Sequence, residues 1–184
     1  MKRLFPIILL LYVFVHFSSC EKDDICVEGD TPLLVIGFFD FADTTLEKNA
    51  TTLRIRELNS EEPIDGNLEP EDKDIKMHFD RSTTDSTGIP IRISESTTAF
   101  QFILNSSDGE SEDGESTIET GNIDTLSFNY MVRENFISRA CGFVANFDDL
   151  SADLSFDSEN WIQDIKVVDT TIENSTAIHV KIFH

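Results

Sequence analysis

The chain has 184 residues, 40% of them hydrophobic, which is enough for one domain with a real core and too many for a disordered chain. Acids outnumber Lys and Arg by 35 to 14, for a net charge of -21. That charge repels phosphate backbones and anionic lipid, so it excludes nucleic acid as an expected partner and favours basic partners or loosely held cations.

Lys2 and Arg3 precede an apolar run from Leu4 to Phe17, interrupted only by His16. The run suits the core of a signal peptide and falls short of the roughly 20 residues a bilayer span needs. A buried core helix and a plain secretory signal are the alternatives. Phe17-Ser18-Ser19-Cys20 closes the run and resembles a bacterial lipobox, with Phe where Leu is usual and Ser where Gly or Ala is. The resemblance implies a signal peptide over residues 1–19 and lipid joined to Cys20. Each buried CH₂ contributes about 0.8 kcal/mol, so two or three acyl chains would hold permanently. Loss of Lys2 and Arg3 would leave 12 basic against 35 acidic residues, a net -23.

Residues 20–31 then read as a lipidated tether. Glu21, rather than Asp, follows Cys20, which favours the outer membrane over inner-membrane retention. Glu21-Lys22-Asp23-Asp24 resembles the export tag of Bacteroidota surface lipoproteins; its alternative is a solvated polar spacer, with the protein facing the periplasm. Cys26 and Cys141 remain once Cys20 carries lipid. In an oxidising envelope they are candidates for a disulfide of roughly 4–5 kcal/mol in the chain-entropy model; the alternative is two separate buried thiols.

From Pro32 onward the hydrophobic period is two. Pro32–Phe41 is nearly continuous and predicts a strand covered on both faces, or one bulged near Gly37. Leu53 and Ile55 alternate with Arg54 and Arg56; Ile75, Met77 and Phe79 alternate with Lys76 and His78. Ile89, Ile91 and Ile93 form a stripe, as do Phe100, Phe102 and Leu104. Leu126, Phe128, Tyr130 and Val132 make the clearest strand, followed by Cys141, Phe143, Ala145 and Phe147 on one face. Ile165 and Val167 begin another, and Ile178, Val180 and Ile182 close the chain opposite His179 and Lys181. About nine strands predict an all-β fold, a single antiparallel β-sandwich over residues 32–184 that is Ig-like in general architecture. The stretches 59–74, 80–88 and 106–122 read as loops, and the acids of the last favour an extended, mobile segment.

No constellation for chemistry emerges. Asp108 to Gly114 is one residue out of phase with a calcium loop and reads as solvated acid, and neither cysteine spacing suits a metal. His78, His179 and His184 lie outside any nucleophile or HExxH setting, with His78 and His179 on polar-facing strand positions. No catalytic residue, metal or cofactor is therefore expected. Asn49, Asn105 and Asn174 open N-glycan sequons that would matter in a secreted eukaryotic glycoprotein. Asp85-Ser86-Thr87 resembles the Bacteroidota O-glycosylation pattern, in an exposed turn, which makes Ser86 a candidate acceptor.

"CEKDDIC", "TPLLVIGFFDF", "SRACGF" and "AIHVKIF" together resemble a family of Bacteroidota lipoproteins of unknown function, over nearly all of residues 20–183. The resemblance implies an envelope lipoprotein with one β-rich domain and carries over no activity. Within "RACGF", Gly142 is suited to a bulge or a close backbone approach. The expected function is an outer-membrane lipoprotein anchored through Cys20, without a reaction of its own, that serves as a binding or accessory subunit for a membrane β-barrel or another envelope protein. A cell-surface glycan-binding module or glycoside hydrolase accessory domain is the second expectation, resting on Trp161 beside Asp157 and Glu159, and a eukaryotic secreted glycoprotein is the third.

Overall fold

The computed structural model describes residue 26 and residues 30–58, 77–111 and 117–184. The signal-like residues 1–19, Cys20, most of the tether, the loop from residue 59 and the centre of the acidic loop lie outside the described residues.

The described residues form strands and no helix, so the fold is all-β. In chain order the strands are β1 (Leu34–Phe39), β2 (Ala50–Leu58), β3 (Met77–Thr84), β4 (Ser86–Ile89), β5 (Thr97–Leu104), β6 (Asp108–Glu110), β7 (Thr117–Glu119), β8 (Asn122–Ser138), β9 (Gly142–Leu154), β10 (Asp164–Val167) and β11 (Val180–Phe183). They build a four-stranded sheet, β10-β11-β1-β4, a five-stranded sheet, β3-β2-β5-β8-β9, and the small ribbon β6-β7. The five-stranded sheet curls into a half-barrel. The two larger sheets meet at both edges. β3 passes through Asp85 directly into β4, while an isolated bridge between Phe147 and Ile172 ties β9 to the segment after β10.

β1 is buried along nearly its whole length, as its continuous apolar run predicts. It has strand partners on both sides, β4 antiparallel and β11 parallel. The parallel pair departs from the expected all-antiparallel sandwich. It arises because β1 and β11 are the first and last of the described strands, separated by the rest of the domain, so no hairpin constrains their direction. Gly37 is not a bulge: the register runs straight through it on both sides. A Cβ there would come within 2.8 Å of Ile178 Cδ1 and 2.9 Å of the Phe39 ring, so glycine admits Ile178 against the strand.

The core lies between the sheets. Phe38, Phe100, Phe102, Phe128 and Phe147 are fully buried, each contributing about 1.5–3 kcal/mol. Leu53, Ile55, Leu126 and Tyr130 join them from the predicted inward face. The other face of the half-barrel is covered as well: Arg56, Gln101, Ile103 and Thr125 are buried. Alternation with Arg therefore does not mark a solvent face here.

The two described ends of the acidic loop pair as β6 and β7, and arginines distant in sequence neutralise acids there. Arg54 donates to Asp80 at 2.9 Å and to Glu119 at 3.0 Å, and Arg81 donates to Asp108 at 2.6 Å through Nη1. Burial opposes charge on Glu119, but Ser106, the Gly121 and Ser107 N–H groups and Arg54 outweigh it and hold the carboxylate below its ordinary range.

Candidate functional site: the far half of the long hairpin

β8 and β9 are the longest strands, at 17 and 13 residues. Typical strands run about 5–6 residues, so this hairpin outreaches the layer it packs on. β5 accompanies β8 only as far as Thr97 opposite Asn129. From Met131 to Ser138, among the described residues, β8 pairs with β9 alone, and its other edge has no strand beside it.

A bulge separates the two halves. Asn129 faces Ser151 but Met131 faces Asp148, so one residue of β8 opposes two of β9, and Asp149 there takes a φ of 54°. Leu150 N–H is freed toward Thr170 O at 3.0 Å. Such an irregularity twists the strands and re-aims the side chains on its far side. Beyond it Met131, Phe136, Ile137 and Phe143 are exposed, with Phe143 at 65%.

At the near end of this half is a shallow open hollow of about 660 Å³, lined by Ile93, Glu95, Thr97, Tyr130, Met131 and Val132 among others. Ile93 and Met131 expose 60% and 58% of their surface there. Its floor is fixed by hydrogen bonds. Tyr130 O–H donates to Arg92 O at 2.7 Å, and Arg92 N–H donates to Thr98 Oγ1 at 3.0 Å. Burial raises the Tyr130 hydroxyl above its ordinary pKa, so it stays a donor. Arg92 is held in turn by Glu57 and Glu95.

A two-stranded ribbon alone is marginal in water, and this one carries three ties. Phe136 and Phe143 are cross-strand partners with ring centroids 5.2 Å apart in an edge arrangement. Arg133 bridges Asp148 at 2.7 Å and Glu173 at 2.6 Å. At the tip Cys141 is bonded to Cys26, with Cα atoms 4.8 Å apart, 115 residues distant in sequence. The next residue, Gly142, has a φ of +72°, and a Cβ there would meet nothing within 4 Å. Its requirement is conformational, a turn in the left-handed region, rather than a close approach.

The remaining sequence candidates lie elsewhere, and several are corrected. Ser86 is exposed at the start of β4, where its hydroxyl donates to Asp85. His179 is fully buried rather than polar-facing. Its Nδ1 accepts from Val35 N–H at 3.0 Å, and desolvation depresses its pKa. His184 packs against Phe38 and Trp161. Trp161 is itself core, donating from Nε1 to Phe102 O at 3.1 Å, which removes the support it lent to a glycan platform. Asn105 accepts from Thr51, and Asn174 caps its own turn through Thr176 and Ala177. Among the described residues no group of three or more His, Cys, Asp or Glu side chains is placed to hold a metal ion. The His78 side chain and Cys20 lie outside the described residues.

Residues 67–184 match a family of unknown function, DUF6452. The chain belongs to that family. The part matched to DUF6452 includes the whole hairpin and the residues lining the hollow, but it leaves out β1 and β2. Since β1 lies between β11 and β4, the folded unit is larger than the DUF6452 match. No curated protein and no solved structure matches the chain.

Sequence reasoning missed the exposed apolar strip. A signal was present: Asn135–Phe147 is the longest stretch after Cys20 without an acid, in a chain otherwise dense with them.

Proposed function

We propose that this chain is an outer-membrane lipoprotein, anchored through Cys20, that acts as a binding or accessory subunit for another envelope protein. One observation carries the binding role: the exposed apolar hollow at Ile93 and Met131, beside an edge of β8 with no strand next to it among the described residues. Contiguous exposed apolar surface with a polar rim marks contact with a partner. An open edge adds main-chain donors and acceptors for an incoming strand, while the hollow takes one of its side chains. The lipobox-like Phe17–Cys20 supports the anchor. The Cys26–Cys141 bond ties the same hairpin to the tether, which suits a partner embedded in the same bilayer, such as a membrane β-barrel. The role needs no reaction at this site.

The test is a photo-crosslinking amino acid at Met131 in the full chain, in native cells. A single dominant protein adduct is expected, and Ile93→Glu should abolish it without lowering the protein's level. Recovery of the uncoupled monomer alone would sink the binding role. Mass spectrometry of the mature N-terminus tests the anchor separately, since a protein beginning at any residue other than an acylated Cys20 has none.

A further inference from the structure

The hairpin tip differs from the rest of the molecule in three ways at once. It is aromatic and exposed, with Phe136 and Phe143 both more than half accessible and Ile137 beside them. It is free of acid from Asn135 to Phe147 and carries one cation, exposed Arg139. It is also joined covalently, through Cys141, to Cys26. Five residues lie between Cys20 and Cys26, and the six steps of chain reach at most about 22 Å. Whatever holds Cys20 therefore holds this tip close by, however the intervening residues run.

We infer that the tip of the β8–β9 hairpin is a second membrane contact, with Phe136 and Phe143 seated among the headgroups of a phospholipid bilayer. The inference rests on the Cys20 anchor. A short tether makes the contact intramolecular, so weak partition suffices to keep the tip down. Aromatic side chains favour the bilayer interface, and Arg139 is attracted to anionic headgroups. The same headgroups repel the acidic body, so the orientation with the tip inward is the one that charge permits. The disulfide does not merely close a loop in this arrangement; it places the tip where the lipid is.

The protein supplies its own control. Phe156 is the most exposed large apolar side chain among the described residues, at 91%, and lies just past the C-terminal end of β9, at the opposite end of the hairpin from the tip. The acylated full chain would be reconstituted in vesicles of phosphatidylethanolamine and phosphatidylglycerol, with and without brominated acyl chains. Phe143→Trp and Phe136→Trp should each add an emission that brominated lipid quenches. Phe156→Trp should add one that it does not, and native Trp161, buried in the core, should be unaffected in every variant. Equal quenching at both ends of the hairpin, or none at the tip in protein that still floats with the vesicles, would overturn the inference and leave the anchor standing. Protein that fails to float, or floats equally well as Cys20→Ala, would overturn the anchor and the inference with it. A tip that belongs to a protein partner would stay unquenched in these protein-free vesicles, which also counts against it.

Discussion

The two halves of one hairpin behave as different materials. Between Leu126 and Asn129, β8 has β5 on one side and β9 on the other, and Leu126, Phe128 and the following Tyr130 are buried in the core. Past the Asp149 bulge β5 no longer accompanies them, and β9 keeps only the bridge from Phe147 to Ile172 on its outer side among the described residues. Alternation persists, since Phe143, Ala145 and Phe147 do share a face, yet Phe147 is fully buried and Phe143 is mostly exposed. Periodicity reports which side chains point together; it does not report whether anything meets them. The buried half is held by what it packs against, and the exposed half by what is bonded to it.

Breaking that contrast should give a graded series. Phe128→Ala in the buried half should cost about 3–5 kcal/mol in urea unfolding, since a fully enclosed ring leaves a cavity. Cys141→Ser in the exposed half should cost about 2–4 kcal/mol, the usual measured range and less than the chain-entropy figure, by loosening the unfolded-state constraint. It should leave the far-ultraviolet spectrum of the sheet nearly unchanged. If Cys141→Ser were the costlier, the contrast would be wrong. Phe136→Ser and Phe143→Ser should each stay within about 0.5 kcal/mol of wild type, as exposed substitutions usually do.

Two buried titrating groups sharpen the comparison through pH. His179 has its pKa depressed below the ordinary 6.5 by burial, and protonation would end its acceptance from Val35 N–H. A base with a depressed folded pKa contributes stability present above the unfolded value and lost as pH falls through the folded one. Unfolding measured from pH 7 down to pH 5 should therefore show declining stability, less so in His179→Asn. Asp124 has the opposite sign. Its carboxyl is raised above 3.8 by burial, although it accepts from Ile162 N–H at 2.8 Å. Its contribution is fully present below the unfolded value and is lost as pH rises through the raised one, so Asp124→Asn should flatten the acid side of the profile. An unchanged slope in either variant would show that the group is not the one titrating.

Much of the sheet was legible in the sequence. The stripes at Leu53, Phe100, Leu126 and Val180 lie on strands, and the run from Pro32 is covered on both sides. Three things were not legible. Arg56 reads as outward by alternation but is buried, because both faces of the half-barrel are covered. His179 precedes β11 rather than lying in it, so the two-residue period no longer governs where it points. The acids at 108 and 119 repel one another in isolation, but partners 27 and 65 residues away in β3 and β2 reverse that balance. In the candidate site the cysteine pair could be anticipated from compartment chemistry. The hollow could not, because it depends on where β5 stops beside β8.

The side-by-side union of β1 with β11 has a bearing on how the chain is made. A polypeptide leaves the ribosome N-terminus first, and β11 is the last described strand to emerge. Until it arrives, Leu34–Phe39 lacks one of its two flanking neighbours, and β10 has no strand to attach to. The four-stranded sheet therefore closes late, because its β1–β11 pairing joins strands far apart in the chain. The five-stranded sheet, whose strands are all made before β11, needs no such wait, so the two layers can order at different times.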